Sequence, residues 1–269
     1  LLDNEQAVAW FSASLDAKED AKTYFNRGVA FMSLGDHDKA LADYSKAIEL
    51  DPKDASPWIN RGLLYHQMGK TAQGINDMTE AMKLDEKDAT IPLNRGLLHS
   101  AIAMYDRAIT DFTKALEVDT RYADAYINRG YCRHRLKQFK PALEDFDQAL
   151  ALAPLNALTH SNRGNTHTQL GDYDKAIADH DEAIRLDSRN PQFYNNRGSA
   201  YGAKGDHRKA VADFERAITL APEFAPAYRN RGHAYIALGD MAQAAGDFMS
   251  ALNLEPNVTE GIPVEYLKK

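Results

Sequence analysis

The chain has 269 residues and a net charge of −7, with 39 Asp and Glu against 32 Lys and Arg. An acidic balance without clustered Lys and Arg argues against nucleic acid as a partner. No apolar run approaches the ~18 residues that a membrane span requires.

A single cysteine, Cys132, makes an internal disulfide impossible, so folding does not depend on an oxidising compartment. A cytoplasmic protein and a disulfide-free exported one both fit. The chain starts at Leu1 rather than at Met, which reads as a processed or trimmed chain.

Residues 4–16 are expected to form one amphipathic helix. By number, Trp10 lies 34 residues before Tyr44, and Ala13 lies 34 before Ala47. Residues 1–20 therefore read either as the second helix of an incomplete repeat or as a cap on the first one. From Ala21 onward the chain is periodic. The tripeptide Asn-Arg-Gly occurs at Asn26 and again at Asn60, Asn94, Asn128, Asn162, Asn196 and Asn230, each copy 34 residues after the last. The expected units are 21–54, 55–88, 89–122, 123–156, 157–190, 191–224 and 225–258, followed by a tail at 259–269.

In the first unit Asp20 is placed to cap a helix over about 22–34. Gly35-Asp36 ends it, glycine being favoured where a helix closes in a left-handed residue. A second helix over about 37–50 carries Ala40, Leu41, Tyr44, Ala47 and Ile48 on one stripe, and Asp51-Pro52 stops it. Two short antiparallel helices make a helical hairpin. The second unit has Gly74 where the first has Ala40. The third has Pro92, His99 and Ala103-Met104, and its turn is expected to differ in shape because Ala replaces Gly. The tail holds Gly261 and Pro263, with a short capping turn expected around Val264 and Tyr266.

Glycine at the Gly28 column and alanine at the Ala40 and Ala47 columns are small where helices cross, and aromatics fill the larger gaps. A 34-residue helical pair with an aromatic, then Gly, then Tyr, then Gly-Asp-Tyr, Ala, Phe or Tyr, Ala and Pro resembles the tetratricopeptide repeat. The resemblance covers about 21–258. One departure is arginine where a leucine is usual before the glycine. The resemblance implies an all-α, right-handed superhelix of helix pairs, with the first helices forming a concave wall. It also implies a non-enzymatic protein-interaction module.

The Arg27 column has a counterpart: Asp43, Asp77, Asp111, Asp145, Asp179, Asp213 and Asp247 each precede the second-helix aromatic place. This pattern predicts repeated ion pairs that fix the register of the helices.

The Asn26 column faces the groove in the geometry that the resemblance implies. It is similar to the asparagine ladder of O-linked N-acetylglucosamine transferase, which holds extended peptides by their main chain. An amide offers a donor and an acceptor to a peptide backbone. Alternatively, these asparagines bond the neighbouring repeat. Beside them the first four units offer Phe25, Val29, Ile59, Leu63, Leu93, Leu97, Ile127 and Tyr131, whereas the later units offer Ser161, Asn165, Asn195, Ser199, Arg229 and His233. The apolar strip is expected to take a protein or extended peptide, to contact a second copy of the chain, or to be covered by helix 4–16. Lys22, Arg135 and Arg229 are too scattered to clamp two carboxylates.

His160, His167 and His180 stand where other units have Tyr or Phe, and are expected to be hydrogen-bonded core histidines rather than metal ligands. Cys132 and His134 point in different directions on one helix. No catalytic or phosphate-binding motif occurs, so neither a cofactor nor a metal is expected. The chain reads as a scaffold that binds peptide segments. The alternatives are a recognition domain trimmed from a larger enzyme, and a self-associating structural module.

Overall fold

The carboxylate of Asp20 accepts from the amide of Thr23 at 2.8 Å and starts the first periodic helix. Just past its end at Ser33 the helix is closed by two bonds. The Asp36 amide reaches the Phe31 carbonyl at 2.9 Å and the Gly35 amide reaches Met32 at 3.0 Å. This is a Schellman closure, and it requires a left-handed residue between. The computed structural model describes residues 2–257, 259, 261–263 and 266, of residues 2 and 3 only the backbone. Val264 of the expected capping turn lies outside them.

The described residues form helices and two compact units. Unit 1, Leu1–Leu136, holds α1 (Leu2–Ala17), the hairpins α2 (Ala21–Ser33)/α3 (His37–Leu50), α4 (Ala55–Gln67)/α5 (Thr71–Leu84) and α6 (Thr90–Ala101)/α7 (Tyr105–Val118), and then α8 (Ala123–Arg135). Unit 2, Lys137–Lys269, holds α9 (Phe139–Leu152) and the hairpins α10 (Ala157–Leu170)/α11 (Tyr173–Leu186), α12 (Pro191–Lys204)/α13 (His207–Leu220) and α14 (Ala225–Leu238)/α15 (Met241–Leu254). The division falls between Leu136 and Lys137, inside the span 123–156. Within each unit, the second helix of a hairpin packs on its own first helix and on the next one.

The third hairpin corrects one expectation. Its turn has the same shape as the others, although no glycine is there. Ala103 has φ 58° and Lys137 φ 60°, alongside Gly35, Gly69, Gly171, Gly205 and Gly239 at φ 77° to 95°. The Met104 amide still reaches the His99 carbonyl at 2.9 Å. The hydrogen-bonded closure overrides the residue's own preference.

The columns of small residues work by close approach. A Cβ on Gly96 would lie 2.6 Å from the Phe112 ring, and one on Gly198 2.8 Å from Phe214. In the second hairpin, where Met78 replaces the ring, the backbones come closer still. A Cβ on Gly74 would lie 2.4 Å from the Gly62 carbonyl, which is why this place holds glycine rather than alanine.

The arginine column joins three helices. Arg27 Nε and Nη2 each donate to Asp43 at 2.8 Å. Equivalent pairs tie Arg61 to Asp77, Arg95 to Asp111, Arg163 to Asp179, Arg197 to Asp213 and Arg231 to Asp247, with shortest contacts of 2.6–2.8 Å. Arg129 and Asp145 belong to different units. The aspartates are buried. The other guanidinium nitrogen, Nη1, reaches back to the preceding second helix. It donates to Ser45 from Arg61, to Thr79 from Arg95 and to Thr113 from Arg129, at 3.0–3.1 Å. In unit 2 the acceptors are the carboxylates of Asp147 and Asp181, at 2.7 and 2.6 Å. A half-buried guanidinium is tolerated because its fork of donors is satisfied.

The same bond sets the register of α1. Arg27 Nη1 donates to Ser12 at 3.1 Å, the place that Ser45 takes for Arg61 one hairpin on. Ser12 lies 33 residues before Ser45, so α1 is one residue out of the 34-residue frame. Trp10 is consequently not the equivalent of buried Tyr44; it is 68% exposed. Val8 and Leu15 turn inward instead, Val8 against the cluster of Phe31, Tyr44 and Leu64. At the other end Ile262 is buried with Ala244 and Phe248, and the Tyr266 ring lies 5.0 Å from Phe248.

Candidate functional site

On an α-helix successive residues are turned by about 100°. The asparagine, the residue three after it and the residue before it therefore share one stripe, with the +3 residue in the middle. In unit 1 that middle place is apolar in all four first helices. Val29, Leu63, Leu97 and Tyr131 are each 37–40% exposed, on α2, α4, α6 and α8. Here α1 does not cover them: it packs on α2 while Val29 stays open.

The residue before the asparagine behaves differently. Leu93 is 7% exposed and sits in the core with Phe112 and Cys132. Phe25 packs against Phe31 and Tyr44, and Ile59 against Met78 and Ile91; Ile127 is half-buried. In unit 2 Ser161 and Asn195 are buried as well. Leu93 is thus a core residue and not part of the expected groove lining, whereas Phe25 and Ile59 are half-buried against the core clusters.

All seven asparagines are half-buried, but their amides do different things. Asn230 Nδ2 donates to Asn195 Oδ1 at 2.9 Å, and Asn196 Nδ2 to Ser161 Oγ at 3.1 Å. These bonds tie successive first helices together. In unit 1 the residue that would accept is Phe25, Ile59 or Leu93, and no such bond can form. Asn60 and Asn128 turn back to their own helix, donating to the carbonyls of Ser56 at 3.0 Å and Asp124 at 2.8 Å. Among the described residues Asn26, Asn94 and Asn162 make no side-chain hydrogen bond. The neighbour-bonding reading of the column therefore holds at Asn196 and Asn230 in unit 2.

Unit 2 also carries a cavity of about 220 Å3, lined by Ser199, Asn230, His207 and His233 among others. His233 Nε2 meets the Gly261 carbonyl of the tail. Leu158, one turn before the asparagine on α10, is 61% exposed. It lies on the same stripe, and its apolar place was missed because the polar residues around it dominate the local pattern.

Tetratricopeptide repeat models match residues 21–54, 123–156 and 191–224, with further models of the same repeat at 44–76, 164–205 and 225–258. Together they cover more than half of the chain. The chain is a tetratricopeptide repeat protein. None of these spans includes 89–122, where Pro92, His99 and Ala103 depart from the pattern, yet α6 and α7 form the same hairpin. Among solved structures, a tetratricopeptide repeat protein from Parabacteroides merdae ATCC 43184 is 23% identical, with a TM-score of 0.75 over 92% of this chain and 97% of its own. YrrB, described as a TPR protein with an unusual peptide-binding site, is 26% identical, with a TM-score of 0.58 over 68% of this chain and 95% of its own. MamA is 25% identical, with a TM-score of 0.54 over 62% of this chain and 92% of its own. No curated protein sequence matches. The all-α fold is that of tetratricopeptide solenoids, a family of protein-interaction scaffolds that are generally not enzymes.

Three further features of this tetratricopeptide protein bear on chemistry. Cys132 is buried, and burial pushes its thiol up, away from the thiolate that a nucleophile needs. Among the described residues no group of three His, Cys, Asp or Glu is placed to hold a metal ion, and no helix is long and apolar enough to cross a membrane. The fifth-repeat histidines are less well satisfied than expected. His160 Nε2 meets the Pro154 carbonyl at 3.0 Å and His180 Nδ1 meets Ser161 Oγ at 3.5 Å. His160 Nδ1, His167 Nδ1 and His180 Nε2 are buried without a hydrogen bond.

Proposed function

We propose that unit 1 binds an extended protein segment on its first-helix face, with Val29, Leu63, Leu97 and Tyr131 taking apolar side chains and Asn26, Asn60, Asn94 and Asn128 taking its main chain. The observation that carries this reading is the exposed apolar residue at the centre of each of four successive first helices. Packed helices lie about 10 Å apart, which is about three residues of extended or polyproline chain. The segment is therefore one that presents an apolar side chain about every third residue. The amides of Asn60 and Asn128 are held by carbonyls of their own helices and can exchange those bonds for a ligand's without disturbing packing. Peptide binding by YrrB supports the class of partner.

The test compares wild type with Leu63→Ser/Leu97→Ser and with Asn60→Ala/Asn94→Ala on an array of apolar peptides. Each removed apolar side chain contributes on the order of 1 kcal/mol, so the first variant should lose at least tenfold in affinity at an unchanged melting midpoint. Equal binding by both variants overturns the reading. Concentration-dependent sedimentation of the wild type, lost in the leucine variant, would make a second copy of the chain the occupant.

A further inference from the structure

In most repeats the arginine of the tripeptide lies between two rings, one three residues before it and one four after. Arg27 stands over Tyr24 and Phe31, Arg61 over Trp58 and Tyr65, Arg197 over Tyr194 and Tyr201, and Arg231 over Tyr228 and Tyr235. At Arg95 the two places hold Pro92 and His99. Neither fills the space that a pair of large rings takes. A cavity of about 370 Å3 opens there, between α5 and α7 and above α6.

The floor of this cavity is a closed ion cluster. Arg95 Nη2 and Nε donate to Asp111 Oδ1 at 2.6 and 3.1 Å. The other oxygen of Asp111 meets His99 Nδ1 at 2.7 Å. Asp111 and His99 are both buried. The single carboxylate is thus shared between a guanidinium and an imidazole, and both its oxygens are spent. His99 Nε2 makes no hydrogen bond among the described residues.

The rim adds a second cation. Arg107 is exposed, and its one hydrogen bond among the described residues is to the Met104 sulfur at 3.9 Å. The rim hydroxyls are already committed: Thr79 donates to the Ile75 carbonyl and Thr110 to that of Asp106. What is left unspent is dominated by donors: the Arg107 guanidinium, the free N–H groups of Arg95 and the amide of Asn76. A site with spare donors, two guanidiniums and one engaged carboxylate is complementary to an acceptor-rich anion. The chain as a whole carries −7, so an anion gains nothing from the general field and must be held by these groups.

We propose that this cavity is a binding site for a small oxyanion, a phosphate or carboxylate group seated between Arg107 and the Arg95–His99 floor. It is separate from the first-helix face, and it exists because the third repeat lacks the two rings.

The test titrates the intact chain with inorganic phosphate and, in a second arm, acetate. The readouts are the arginine Nε–H and His99 ring signals by NMR. Saturable shifts with Kd below about 1 mM are expected for at least one arm, and the tighter arm identifies the group. Arg107→Ala removes an exposed cation outside the ion cluster and should weaken binding at least tenfold. His99→Tyr restores the ring found at Tyr65, Tyr201 and Tyr235, fills the cavity and should abolish binding while the chain keeps its melting midpoint. If His99→Tyr fails to fold, Arg107→Ala alone decides. Absence of a saturable shift in the wild type, or unchanged affinity in Arg107→Ala, overturns the proposal.

Discussion

His180 lies fully buried over Gly164 in the place that Tyr44, Phe112, Phe214 and Phe248 take in other hairpins. Burial pulls its pKa from 6.5 down to about 4. The folded chain therefore holds His180 neutral where the unfolded chain would protonate it. That contribution is complete above about pH 6.5 and is lost as the pH falls toward 4. The melting midpoint is expected to drop between about pH 7 and pH 5. His180→Phe should flatten this drop and add on the order of 1–3 kcal/mol, because it also removes the unbonded Nε2. Thermal melts of both proteins at the two pH values check it. The ion pairs make a second residue-scale prediction. Asp77→Ala leaves Arg61 with Ser45 as its one hydrogen-bond partner and should cost about 3 kcal/mol or more. Asp213→Ala should cost less, since Arg197 keeps Asp181 at 2.6 Å. Denaturant midpoints of the two variants give the order.

Helices here are ended by backbone geometry rather than by residue type. Six Schellman closures repeat at the hairpin turns, and the left-handed residue between their bonds is glycine in five and Ala103 in the sixth; Lys137 is left-handed as well. A side chain in that region costs about 1–2 kcal/mol. Ala103→Gly and Lys137→Gly should each raise stability by about 1 kcal/mol, read from the denaturant midpoint. An unchanged midpoint would mean that the turn relaxes in solution. The arginine bonds act at this scale too, because each one fixes a first helix against two second helices. Only an element with a hydroxyl or carboxylate in the right turn can take the preceding position, and α1 qualifies through Ser12, one residue out of frame.

At the scale of the whole molecule, the two units use one repeat for different ends. In unit 2 the asparagines at 196 and 230 bond the preceding first helix, since Ser161 and Asn195 give them acceptors. In unit 1 those places are apolar, the amides of Asn60 and Asn128 turn back to their own helices, and the exposed apolar residues stand beside them. The peptide-binding proposal is therefore confined to unit 1, and the corresponding alanine changes at Asn196 and Asn230 belong to stability rather than to binding.

The amino-acid sequence by itself determined the 34-residue period, the paired helices and their ends, and the arginine–aspartate pairing. Each of these rests on local periodicity or on capping chemistry carried within one unit. Tertiary structure alone decided which member of a shared stripe faces outward. Asn94, Leu93 and Leu97 differ by less than a third of a turn from one neighbour to the next, and only the position of the adjoining helices buries Leu93 and leaves Leu97 open. It alone decided the one-residue offset of α1, which a numerical frame cannot detect without the Ser12 bond. It also decided that the missing rings of the third repeat leave a cavity, because the loss of two side chains is visible in sequence but the failure of neighbours to fill their space is not.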